Sequence, residues 1–182
     1  TNPGNNGAYV GNKASLTLND VGVTFAASKT GNYDGVYAKS ATTSLQNVTV
    51  TGAPRHGVQV DGAGTKATLT GTLHIVSPKK RGLVNLGGTV DGSDGIVRVE
   101  TPAEFGVATN VSGTTGGKTT IKELYVTGAK GFSSMTVNGA GTVVTINGGK
   151  ISGSVGHGVN ASAGTLNLNN IEITGSGSGK VD

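Results

Sequence analysis

HGVNASAGTLNLNNIEITG, residues 157–175, decides the fold. His157-Gly158-Val159 makes a turn that enters a short extended segment, and Ser162-Ala163-Gly164 makes a second turn. Leu166 and Leu168 then alternate with polar residues, so they share one side of a strand with Asn167 on the other. The pair Asn169-Asn170 adds one residue to the alternation and turns the chain. Ile171 and Ile173 carry a second short strand, and Gly175 stops it. Four aliphatic side chains cannot hold a core alone, so copies of the unit must bury their faces against one another.

Copies are found along the chain. Each begins with an x-Gly-Val-like triplet, at Ala8 (Ala8-Tyr9-Val10, without the glycine), Asp34, His56, Arg81, Phe105, Lys130 and His157. The mean spacing of these starts is about 25 residues, which is a structural period. The second half repeats as well: Leu16, Leu18, Val21 and Val23 in the first copy, Thr43, Leu45, Val48 and Val50 in the second, Thr119, Ile121, Leu124 and Val126 in the fifth. The third copy is one residue out of step, which predicts a β-bulge near Gly71. In the fourth, the polar, glycine-rich stretch 87–95 reads as an outward loop before Ile96-Val97-Arg98-Val99.

The pattern predicts an all-β chain: a right-handed parallel β-helix (β-solenoid) of about seven coils of about 25 residues, forming a single domain over residues 1–182. Neighbouring coils stack about 4.8 Å apart, giving a rod about 33 Å long. One inward column is expected to hold Val36, Val58, Leu83, Val107, Phe132 and Val159. Another is expected to hold Leu18, Leu45, Leu69, Ile121, Ile146 and Leu168. The glycine before each valine suits either a positive φ or a close approach between coils. A leucine-rich repeat has a similar period, but the LxxLxL-to-Asn pattern with a helical half is missing. A β-sandwich does not explain the repeat register.

Composition agrees. Of 182 residues, 33 are glycine, aromatic residues make up 4% and tryptophan is absent, so large side chains do not fill the interior. Cysteine is absent, which removes disulfides and thiolate metal sites. No apolar run reaches the length of a membrane-spanning helix. Thr1-Asn2-Pro3-Gly4 and the Gly/Ser run after Gly175 read as cuts from a longer protein. The net charge is +4, mildly basic.

The coils DGVYAKSATTSLQNVTVTG (34–52) and HGVNASAGTLNLNNIEITG (157–175) resemble the passenger domains of bacterial autotransporters, pertactin-like and self-associating adhesin-like. The resemblance covers roughly residues 8–175. It implies an extracellular location, at the bacterial surface and outer membrane or secreted, with the translocator barrel absent from this sequence. It implies a non-enzymatic adhesin or virulence factor that binds host-cell receptors or glycans, with self-association as a further partner mode. Alternatives are a released passenger that signals through a host-cell receptor, and a polysaccharide-active enzyme (lyase or hydrolase) on the same scaffold.

The residues support binding over catalysis. There is no GxSxG or GDSGG stretch. GGTVDGSDG (87–95) lacks calcium-loop spacing, so no metal and no cofactor is expected. His56 and His157 fall at equivalent repeat positions four coils apart, too far to share a metal, and both read as surface corner residues. His74, between Leu73 and Ile75, is expected to point outward. Threonine pairs do not recur at one place in every coil, which argues against an ice-binding array.

The candidate binding residues are Arg55, Lys79, Lys80, Arg81 and Lys130, each placed at or just before a repeat start. In a coil they become neighbours along one edge. Such an edge reads either as a solvated, solubilising stripe or as a surface for an anionic partner: a sulfated glycan, lipopolysaccharide or an acidic protein face. Tyr9, Tyr33 and Tyr37 fall near it and suit a sugar platform, while Tyr9 and Tyr37 read equally as turn residues. Few aromatics are available to stack bases, so nucleic acid is not expected, and neither is membrane insertion of this segment.

Overall fold

The computed structural model describes residues 6–110, 116–175 and 177. Thr1–Gly4 and most of the Gly/Ser run after Gly175 lie outside the described residues. Coil one contains β1 (Ala8–Gly11), β2 (Ser15–Asn19) and β3 (Gly22–Thr24). Coils two to five each have a short and a long strand: β4 (Val36–Lys39) with β5 (Thr42–Thr51), β6 (His56–Asp61) with β7 (Lys66–Val76), β8 (Arg81–Leu86) with β9 (Thr89–Glu100), and β10 (Val107–Thr109) with β11 (Lys118–Thr127). Coil six has β12 (Ser133–Val137), β13 (Val143–Ile146) and β14 (Gly149–Ser152). Coil seven has β15 (His157–Ala161), β16 (Thr165–Leu168) and β17 (Ile171–Thr174). No helix occurs among the described residues.

The short strands form one sheet in the order β1-β4-β6-β8-β10-β12-β15. The others form a second in the order β2-β5-β7-β9-β11-β13-β16, with β3 on β5, β14 on β11 and β17 on β14. Each strand pairs in parallel with its counterpart one coil away. The molecule is a parallel β-solenoid. Seven strands stacked in the first sheet are separated by about six turns of the chain, one fewer than the coils counted from repeat starts.

Register turns the sequence columns into a core. Val36, Val58, Leu83 and Val107 are stacked partners, and each is at most 1% exposed. Leu45 pairs with Leu18 and Leu69, and Ile146 with Ile121 and Leu168. Each fully buried aliphatic side chain of this size stabilises by about 1.5–3 kcal/mol, and repetition of small side chains replaces a few large ones.

Four expectations are corrected. Met135, not Phe132, continues the first column: Val107 pairs with Met135 and Met135 with Val159, while Phe132 is 52% exposed. The triplet Lys130-Gly131-Phe132 imitates a repeat start three residues early, and the start in register is Ser133-Ser134-Met135. In coil one, Ala8 is the partner of Val36, so the triplet is Asn6-Gly7-Ala8 and does contain glycine. Residues 89–95 are not an outward loop but the first half of β9, paired with β7 and β11. Strands on both sides impose extended backbone there. Gly92 takes the inward position beside Ile121, and a bulge at Gly92-Ser93 opposite Leu69 absorbs the extra residue. His56, finally, is buried, as described below. The predicted bulge at Gly71 is present, where Gly71-Thr72 faces Asn47.

The repeated glycine answers to close approach. Gly35, Gly57, Gly82 and Gly106 have no positive φ, but a Cβ on Gly82 would lie 2.4 Å from the Gly106 carbonyl oxygen and 2.6 Å from Val99 Cγ1. The other three meet Val50, Ile75 and Val126 in the same way. Left-handed backbone occurs instead where the second sheet ends: Gly52, Ser77, Thr101, Gly128, Gly153 and Gly175 have φ between 47° and 66° at successive levels. A buried amide fixes another corner. Asn85 Nδ2 lies 3.1 Å from the Gly88 and Lys118 carbonyl oxygens and 2.9 Å from Thr119 Oγ1, and its Oδ1 accepts the Gly88 N–H.

Candidate functional site

The corner that leads into the first sheet is itself a backbone ladder. Arg55 N–H donates to the Tyr33 carbonyl, Lys80 N–H to Arg55, Glu104 N–H to Lys80 and Gly131 N–H to Glu104, all at 2.7–2.9 Å. A parallel ladder links Lys79 to Ala53, Ala103 to Pro78 and Lys130 to Pro102. Arg81 pairs in register with His56. The structure therefore places these residues on one edge, with Arg55 at one level, Lys79, Lys80 and Arg81 at the next, and Lys130 two levels further, beyond residues 102–104.

Their charges are not equivalent. Arg55 donates to both carboxylate oxygens of Asp34, with Nε 2.8 Å from Oδ1 and Nη2 on Oδ2. Asp34 is fully buried and also accepts the His56 N–H at 3.1 Å. Burial pushes the Asp34 carboxyl above the usual carboxylate range, while the Arg55 guanidinium pulls it down. Arg81 Nε lies 2.7 Å from Glu104 Oε2. Both arginines are thus matched by carboxylates from a neighbouring coil. Lys79, Lys80 and Lys130 are exposed and take part in no ion pair among the described residues.

His56 sits inside this arrangement, not on its surface. It is 5% exposed and its Nδ1 has no hydrogen-bond partner among the described residues. Burial and the adjacent Arg55, Arg81 and Lys80 push its imidazole down to about 3. His157, equivalent in the repeat, is exposed; it pairs with Ser133 of coil six, and no further coil is among the described residues. His74 points outward, with Nε2 2.8 Å from Glu100 Oε1.

Aromatic rings line both ends of the edge. Toward the C-terminal coils, Arg81 lies over Phe105, Phe105 meets Phe132 edge-to-face at 5.1 Å, and Phe132 meets His157 at 6.5 Å. Toward the N-terminal coils, Tyr9 and Tyr37 are in-register neighbours on β1 and β4, with ring centroids 5.5 Å apart. Tyr37 donates its hydroxyl to Asp61 Oδ2 at 2.7 Å, and burial and that carboxylate raise its pKa. Beside them is a hollow lined by Asn6, Tyr9, Asn32 and Tyr33. The asparagines of this hollow carried no signal in the repeat pattern.

Among the described residues the carboxylates form no cluster of three or more with histidine; Asp34 and Asp61 are close enough for the Asp61 charge to add to burial in raising the Asp34 pKa. Asp91 accepts from the Ser93 hydroxyl at 2.7 Å and from the Ser93 N–H, and these bonds lower its pKa. No group of three or more histidines and carboxylates able to hold a metal occurs among the described residues. No described helix is long and apolar enough to cross a membrane.

The class that this architecture defines is the parallel β-solenoid. Comparison with protein-family models, with curated proteins and with solved structures found no match to the chain.

Proposed function

We propose that this solenoid is a binding rod of the autotransporter-passenger kind, displayed at a bacterial surface or released, and that it acts as a non-enzymatic adhesin toward host-cell glycans or receptors. The observation that carries the reading is the divided edge. Arg55 and Arg81 are neutralised within the scaffold, whereas Lys79, Lys80 and Lys130 stand exposed, without ion pairs among the described residues, on backbone ladders that fix their spacing. Lys79 and Lys130 are two levels apart in one ladder, about 10 Å along the rod. A sulfated glycan, with anionic groups repeated along a chain, suits such a row. Attraction of this kind weakens as salt shortens the Debye length, about 10 Å at 0.1 M.

The test is retention on immobilised heparin. The native chain is expected to elute well above the salt at which a variant with Lys79, Lys80 and Lys130 all changed to Ala elutes. Equal retention of the two proteins refutes the lysine edge as the binding surface.

A further inference from the structure

We infer that the hollow lined by Asn6, Tyr9, Asn32 and Tyr33 is a saccharide subsite that seats one neutral pyranose ring of a glycan. The inference extends the glycan reading of the adjoining edge and can fail without it. The hollow measures about 370 Å³, within the range of about 300–1,000 Å³ usual for small-molecule sites.

Its lining has the two chemistries a sugar needs. A pyranose presents C–H groups on one face and hydroxyls around its rim. The C–H face suits the negative face of an aromatic ring, and each hydroxyl suits an amide, which both donates and accepts. Tyr9 is 56% exposed. Asn6 Oδ1 accepts the Asp34 N–H at 2.8 Å, which orients that amide and leaves its NH₂ group for a ligand. Asn32 is exposed at the rim. Three of the four tyrosines of the chain, Tyr9, Tyr33 and Tyr37, occur at this end of one edge.

Both ring positions are built. A Cβ on Gly11 would lie 2.4 Å from the Tyr9 hydroxyl oxygen and 2.9 Å from Cζ, and a Cβ on Gly31 would lie 2.5 Å from Tyr33 Cε2. Each ring is bedded against a glycine two residues away, where any side chain would displace it. Lys29 Nζ sits over the Tyr33 ring, 5.1 Å from its centroid. Tyr33 thereby becomes a fixed wall and Tyr9 the open platform.

Gly11→Ala supplies a specific test. Gly11 lacks a positive φ, and the atoms its Cβ would meet belong to the tip of an exposed side chain. The fold should survive while the Tyr9 ring is displaced. The native chain is titrated by ligand-observed NMR with glucose-, galactose- and N-acetylglucosamine-based tetrasaccharides. At least one is expected to bind, with Kd raised tenfold or more in Tyr9→Ala and in Gly11→Ala, both with the native circular dichroism spectrum. Unchanged binding in these two variants overturns the subsite. So does failure of every tetrasaccharide to bind a chain that heparin still retains, an outcome that leaves the lysine edge standing. Failure of both heparin and the tetrasaccharides overturns both readings.

Discussion

Acidification should destabilise this protein through His56, and the size of the effect follows from its position. The imidazole is buried at one corner, beside Arg55, Arg81 and Lys80, and its pKa is pushed down to about 3 from the usual 6.5. The folded chain therefore keeps His56 neutral while the unfolded chain takes up a proton below pH 6.5. The unfolded state binds more protons in this window, so stability falls as pH falls. Linkage gives a loss of about 2 kcal/mol at pH 5 and about 3 kcal/mol at pH 4 relative to pH 8. His56→Gln removes this titration and leaves the other ionisable groups in place. Urea unfolding of both proteins, followed by circular dichroism, isolates the term as a difference between two curves. With a urea slope of 1–3 kcal/mol per molar, the native midpoint should fall by about 1 M more than that of His56→Gln between pH 8 and pH 5. Midpoints that shift in parallel would refute the argument and place His56 in contact with water.

Two other substitutions test the scaffold. Gly82→Ala should destabilise by about 3 kcal/mol, the upper part of the overpacking range, because its Cβ meets a backbone carbonyl and Val99; thermal or urea unfolding measures this, and a loss below about 1 kcal/mol would show that the coils can separate at little cost. Arg55→Ala leaves the buried Asp34 carboxylate without its cation and should cost about 3–5 kcal/mol, whereas Lys79→Ala and Lys130→Ala should stay within about 0.5 kcal/mol of the native stability; equal costs for the arginine and the lysines would contradict the division of the edge.

The aliphatic columns were readable because strand alternation and a period near 25 constrain each other. Leu45 could pair only with Leu18 and Leu69 once the period was known. Phe132 misled because Lys130-Gly131-Phe132 has the local form of a repeat start; the alternation through Ser133, Met135 and Val137 carried the correct register. The stretch 87–95 looked like a loop because its composition is polar and glycine-rich. Its strand state is imposed by β7 and β11 on either side, a tertiary effect that no local pattern reports.

His56 and His157 show the same limit at the candidate site. Both occupy an identical His-Gly-Val triplet, yet one is buried between charged neighbours and the other is exposed in the last coil. Their neighbours in the adjoining coils differ: Arg81 pairs with His56, whereas His157 pairs with Ser133 and meets Phe132. The edge itself was readable from the repeat starts, but the neutralisation of Arg55 and Arg81 was not. Their partners Asp34 and Glu104 lie nearly one coil away in sequence, and the repeat alone does not say which side chains meet across a level.

The backbone bonds that join the coils run along the rod axis. Tension applied through the two ends therefore pulls along these bonds, and it loads the terminal coil before the rest. Such a rod is expected to yield one turn at a time under tension, and single-molecule pulling that released whole sheets in one step would refute this. Each released turn of about 25 residues pays out about 80 Å of extended chain. A released turn leaves the pairing of the remaining coils, and with it the spacing of Lys79 and Lys130, unchanged.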